Sequence, residues 1–221
     1  MKWNLPNTLT LIRLLAAPGV PLMFLYFHRP WADWFALALF VGAAITDYFD
    51  GYLARLWKQE SKFGAMMDPI ADKAMVVIAI MVLTGYSGMN PWLILPATII
   101  LFREVFVSGL REYLGDKAGL LQVTKLAKWK TTMQMVALAV LFLGTGLEYL
   151  NGVAMEGMTP EQYSAAVMAG LADPVRACGK SDCASVAGYV GLCLMWVAAV
   201  LTALTGLDYF QKSKPYLRDE P

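Results

Sequence analysis

Four aspartates stand close together in an otherwise oily chain. The run from Asp47 to Asp72 reads DYFDGYLARLWKQESKFGAMMDPIAD. Asp47 and Asp50 are three residues apart, and Asp68 and Asp72 are four apart. At either spacing, two side chains share one face of a helix. Residues 56–64 between the pairs are enough for a tight turn, so the helices are expected to be antiparallel neighbours with both pairs at one depth. Four carboxylates in a low-dielectric site cannot all remain bare anions. An all-oxygen set suits Mg²⁺, Mn²⁺ or Ca²⁺, and two divalent ions side by side serve displacement at phosphorus. The alternative is a salt-bridge cluster with Arg55, Lys62 and Lys73, although Arg55 and Lys62 are too few to neutralise four carboxylates. Gly51 and Ala54, small residues among the aspartates, leave room either for a nucleotide or for close helix packing.

A second polar group is cationic. Arg103 and Arg111 are eight residues apart on roughly one helix face, accompanied by Glu104 and Glu112. Lys125, Lys128 and Lys130 follow. Cations gathered beside a carboxylate–metal site point to an anionic substrate. Contact with anionic lipid headgroups accounts for Lys117 and Lys125, but not for Arg103, which falls inside an apolar run.

These residues must be held by membrane helices. The chain has 221 residues, 58% hydrophobic and only 16% charged, and its mean hydropathy is +0.51. A soluble domain is about half apolar and about a quarter charged. Disorder, a disulfide-stapled miniprotein and a basic nucleic-acid-binding domain are excluded. Apolar runs at Leu9–Phe27, from Trp31, and at Phe63–Tyr86, Pro91–Arg111, Thr131–Leu150 and Ala184–Leu207 predict an all-α integral membrane protein with six transmembrane helices. With the N-terminus inside, the inner segments carry Lys2, Lys58, Lys62, Lys117, Lys125, Lys128, Lys212, Lys214 and Arg218. The outer ones carry Arg29, Arg176 and Lys180. That asymmetry places both termini in the cytoplasm.

No linker or repeat divides residues 1–221, which read as one membrane domain. Residues 151–185 form a long outer loop. Within it, Thr159-Pro-Glu-Gln162 predicts a short helix over about 160–172. Cys178 and Cys183 share the loop, and their spacing leaves a disulfide and two free thiols equally open. Cys193 reads as packing within the sixth span, and His28 as an interfacial residue rather than a ligand.

The spaced set Asp47, Asp50, Gly51, Ala54, Arg55, Gly64, Asp68 and Asp72 resembles the signature of the CDP-alcohol phosphatidyltransferases, with every fixed position present. Residues 4–13, 68–73, 103–112 and 128–134 are similar to the bacterial members that use sn-glycerol 3-phosphate as acceptor. The resemblance implies transfer of the phosphatidyl group from CDP-diacylglycerol to that acceptor, with release of CMP. It implies Mg²⁺ or Mn²⁺, two ions per site, on Asp47, Asp50, Asp68 and Asp72, with Asp72 also the base. Thr10, Arg13, Gly51, Ala54, Arg55 and Ser61, with Asp47 and Asp50, would contact CDP-diacylglycerol. Arg103, Arg111, Lys128 and Lys130 would hold the acceptor phosphate. The implied setting is the bacterial inner membrane, with the site facing the cytoplasm, membrane lipids around it, no nucleic-acid partner and a homodimer.

Two other functions remain expectations to weigh. Phosphatidylinositol-phosphate and cardiolipin synthases share the aspartate signature and differ in acceptor. A divalent-cation transporter also uses intramembrane carboxylates, but it needs polar residues along the whole bilayer depth, and here the outer halves of the second to fifth helices are apolar.

Overall fold

The structure, a computed structural model, describes residues 5–56, 62–115, 125–155 and 180–216. Among these residues, six helices follow in order: α1 Leu5–Tyr26, α2 Trp31–Leu56, α3 Lys62–Tyr86, α4 Pro91–Leu114, α5 Lys125–Met155 and α6 Lys180–Ser213. A 3₁₀ turn, Lys214–Tyr216, follows α6. Among the described residues, four helical segments are long and apolar enough to cross a membrane: Asn7–Tyr26, Pro91–Leu114, Trp129–Leu150 and Val186–Tyr216. The chain is a multi-pass membrane protein whose described residues are almost all helical. The other two helices, α2 and α3, are the ones that carry the four aspartates.

Several helices run further than their apolar stretches. Helix α1 starts at Leu5 rather than Leu9, which puts Thr10 and Arg13 well inside it. Helices α5 and α6 extend through Met155 and back to Lys180, so both ends of the expected outer loop are helical. Polar residues extend a helix without adding to its apolar run, because backbone hydrogen bonds do not depend on side-chain polarity. Ser61, Cys178 and the expected surface helix at 160–172 lie outside the described residues. So do the side chains of Asp50, Arg55, Lys128 and Cys183, and the surroundings of Gly51 and Ala54. Cys193 is an exposed free thiol on α6 rather than a core residue.

The expected turn between the third and fourth helices forms as a tight corner. Gly88 and Met89 take positive φ, and the Asn90 side chain accepts a hydrogen bond from the Trp92 backbone N–H at 3.0 Å. Pro91 then opens α4, as suits the first helical position.

One core joins all six helices. Ala17 and Val20 of α1, Phe40 and Ala43 of α2, Met75 and Ala79 of α3, Ile100 of α4, Leu138 and Phe142 of α5, and Met195 and Ala198 of α6 are buried in it. Helix α1 packs on α2 and α3, α5 on α6, and α4 chiefly on α6. Small residues permit these close approaches. A Cβ on Gly191 would fall 2.7 Å from Leu141 Cδ2, and one on Gly144 would fall 3.5 Å from the Gly188 backbone nitrogen. Leu15, Leu25, Phe102 and Val105 point outward. Such faces belong in lipid, which costs nothing to cover with apolar atoms.

A polar clamp ties one end of the bundle, that opposite the aspartates. Arg29 donates to both oxygens of buried Asp33, at 2.8 and 2.6 Å, and to the Thr145 carbonyl at 2.9 Å. Its guanidinium lies 5.0 Å from the Tyr86 ring centroid and 4.5 Å from that of Tyr149. Burial acts to lower the Arg29 pKa, but Asp33, Tyr86 and Tyr149 together outweigh it and the net shift is upward. Arg29 therefore joins α2, α3 and α5, a structural role that its place beside His28 does not announce.

Candidate active site

Helix α1 supplies the residues that organise the aspartates. Thr10 and Arg13, three residues apart, turn one face toward α2 and α3, and both are almost wholly buried. Arg13 Nη1 donates to Asp47 Oδ1 on α2 and, at 2.9 Å, to Asp72 Oδ1 on α3. Thr10 Oγ1 donates to Asp68 Oδ1 at 2.8 Å. Three of the four aspartates thus converge from two helices on one stripe of a third. The Asp47 and Asp72 side chains keep 42% and 40% of their surface exposed, so the site is open on one side.

The expected convergence of the two aspartate pairs is seen for these three residues. Arg13 lies between the carboxylates of Asp47 and Asp72, while Lys73, a member of the alternative salt-bridge cluster, donates through Nζ to Ser108 Oγ on α4. A buried guanidinium needs anionic partners, and among the described side chains Asp47 and Asp72 serve Arg13.

The donor chemistry fits a hard divalent cation: the converging side chains are carboxylates, with a threonine hydroxyl beside them. As they stand, no group of three or more His, Cys, Asp or Glu side chains among the described residues is close enough to hold a metal ion. Arg13 stands between Asp47 and Asp72, and the Asp50 side chain is outside the description.

The second polar cluster forms where α3, α4 and α5 meet. Lys130, 5% exposed, donates to Glu104 Oε1, and Arg103 Nη1 donates to the same oxygen at 3.3 Å. Ser108 Oγ donates to the Glu104 carbonyl at 2.7 Å, one turn back on α4, and accepts from Lys73. Gly206 of α6 makes room for Arg103, since a Cβ there would lie 2.9 Å from Arg103 Cγ. Arg103 and Lys130 are therefore brought together, as expected, but through a carboxylate. Arg111 is exposed, its guanidinium 5.3 Å from the Tyr209 ring centroid on α6.

Sequence reasoning passed over Glu104, Lys73 and Ser108 as site residues. The signal for Glu104 and Ser108 was their four-residue spacing in a membrane helix, and for Lys73 its position directly after Asp72.

Comparison with known proteins follows the same residues. The CDP-alcohol phosphatidyltransferase family matches residues 3–204. A protein of Cereibacter sphaeroides named CDP-diacylglycerol–glycerol-3-phosphate 3-phosphatidyltransferase is 74% identical over 220 residues, covering 100% of both chains. Proteins of the same name are 37% identical in Rickettsia bellii, covering 96% of this chain and 97% of that one, and 34% identical in Escherichia coli K12, covering 100% of both. With the family matched over nearly its whole length and its aspartates gathered on α2 and α3, the chain belongs to the CDP-alcohol phosphatidyltransferases.

Proposed function

We infer that this protein transfers the phosphatidyl group of CDP-diacylglycerol to sn-glycerol 3-phosphate, giving phosphatidylglycerophosphate and CMP. The observation that carries this reading is the full-length 74% identity to a protein named for that reaction. The site's chemistry agrees. The acceptor hydroxyl attacks the phosphorus that bears the diacylglycerol. Its proton passes to the Asp72 carboxylate, and the bond to CMP breaks with its electron pair leaving on the CMP phosphate. Asp72 is half-open to solvent and anchored by Arg13, so it is both reachable and oriented.

Asp47, Asp50, Asp68 and Asp72 would hold Mg²⁺ or Mn²⁺, two ions per site. When bound, such ions neutralise charge on a diphosphate and on departing CMP. Thr10, Arg13, Gly51, Ala54, Arg55 and Ser61 would line the CDP moiety, and Arg103, Arg111, Lys128 and Lys130 the acceptor phosphate. The acyl chains would stay in the bilayer. Lys and Arg concentrated on the aspartate side support six spans in a bacterial inner membrane, with the site and both termini cytoplasmic. A homodimer completes the reading.

Acceptor profiling tests it. Purified protein with CDP-diacylglycerol and Mg²⁺ or Mn²⁺ should release CMP with sn-glycerol 3-phosphate at least about tenfold faster than with inositol phosphate or phosphatidylglycerol. Preference for either alternative acceptor would overturn the assignment. Arg111→Ala should raise the KM for glycerol 3-phosphate about tenfold, the loss expected for a charge-assisted hydrogen bond. An equal rise in the KM for CDP-diacylglycerol would remove Arg111 from the acceptor pocket.

A further inference from the structure

We propose that Lys73 is a further cation of the acceptor-phosphate pocket, and that Glu104 is the positioning residue that holds Arg103 and Lys130 beside it. The proposal rests on the glycerol 3-phosphate reading above and adds two residues to it.

The geometry starts from Glu104. One carboxylate oxygen takes both Lys130 and Arg103, from α5 and from its own helix. Lys73 reaches the same stretch of α4 from α3, through Ser108, whose hydroxyl is itself fixed on the Glu104 carbonyl. Lys73 also lies near enough to interact electrostatically with both Glu104 and Lys130. Three helices therefore each bring one cation to the surroundings of one carboxylate, Arg103 and Lys130 in contact with it and Lys73 through Ser108.

Charge then decides what the cluster can receive. Among the described residues of the cluster, three cations stand against one carboxylate, a surplus of two positive charges. A phosphate monoester carries about −1.5 to −2 at neutral pH, so the surplus matches one such group. Without Glu104 the three cations would repel one another in a low-dielectric setting and spread apart. With it, Lys130 and Arg103 are held in fixed directions before substrate arrives, which lowers the ordering cost of binding.

Exposure and chain position separate the roles. Lys130 and Arg103 are largely buried, whereas Lys73 is exposed and stands at the mouth of the cluster. Lys73 also directly follows Asp72 on α3, so the cluster it joins borders the helix that carries the proposed base.

Steady-state kinetics on the full-length protein, with both substrates varied, test this. Lys73→Gln should raise the KM for glycerol 3-phosphate about tenfold and leave kcat and the KM for CDP-diacylglycerol within about twofold. Lys73→Arg should restore most of the loss. Glu104→Gln should raise the same KM by a similar factor, with Glu104→Asp intermediate. Thermal unfolding of each variant reports on folding, and the conservative variants keep the test decisive if a neutral one fails to fold.

An unchanged acceptor KM in Lys73→Gln overturns the proposal. So does a loss confined to kcat, which would mean that Lys73 serves Asp72 instead. A lowered acceptor KM in Glu104→Gln would show Glu104 competing with phosphate rather than arranging its ligands. If the unsubstituted protein uses inositol phosphate and not glycerol 3-phosphate, the reading of the reaction falls. The Lys73 and Glu104 dependence measured with inositol phosphate then decides the pocket separately.

Discussion

Asp72→Asn is expected to lower CMP release by about a thousandfold, within the range of about 10²–10⁴ for loss of a general base. The substitution keeps the shape of the side chain. An asparagine carbonyl oxygen can still accept the Arg13 hydrogen bond, which spans 2.9 Å in the native protein, so the contact between α1 and α3 survives. What disappears is the basic oxygen that takes the acceptor proton. Thermal stability should therefore change little while turnover collapses at saturating concentrations of both substrates. Residual CMP release within about tenfold of the native rate would eliminate Asp72 as the base.

Arg13→Gln should damage both stability and turnover. Arg13 is 1% exposed and joins Asp47 to Asp72 through one nitrogen. Its removal leaves two carboxylates facing each other and a gap in the helix packing. Breaking a fully buried pair costs about 3–5 kcal/mol. Here the two aspartates are partly open to water, which screens their repulsion, so about 2–3 kcal/mol is the better expectation. Turnover should fall by at least about a hundredfold, because Asp47 and Asp72 lose the group that orients them. Arg13→Lys keeps the charge but not the rigid guanidinium plane from which one nitrogen reaches both acceptors. It should recover most of the stability and only part of the activity. A Gln variant as stable as the native protein would show that the Arg13 contacts contribute nothing, and detergent-phase thermal unfolding would read this directly.

The expected and observed molecules agree where the governing forces are local. Apolar runs marked all six helices, since about 20 apolar residues in sequence have few alternatives to a helix in lipid. The missed ends are equally physical. Residues 125–130 and 208–213 mix charged and polar side chains with apolar ones and are helical, so hydropathy fades before the helix does. The spacing of the aspartates placed each pair on one helix face, and the structure brings Asp47, Asp68 and Asp72 to one place. The cations were harder. Lys73, weighed only within the alternative salt-bridge cluster, crosses to Ser108. Arg13, which the resemblance places at CDP-diacylglycerol, also lies among the aspartates. Arg29 counted only as an outer-segment cation, yet with Asp33 it joins three helices.

The sequence by itself determined the helices, the faces on which their charged residues lie, and, through motif spacing, the family. Those properties follow from the 3.6-residue turn and from the cost of polar groups in lipid. Only the tertiary structure decided which cation meets which carboxylate. Arg13 and Asp72 are 59 residues apart, and Lys130 and Glu104 are 26 apart. Their meeting depends on how each helix is rotated and shifted against its neighbours. That register is set by many small contacts between packed side chains, such as Gly206 against Arg103 and Gly191 against Leu141, and no local pattern along one helix records it.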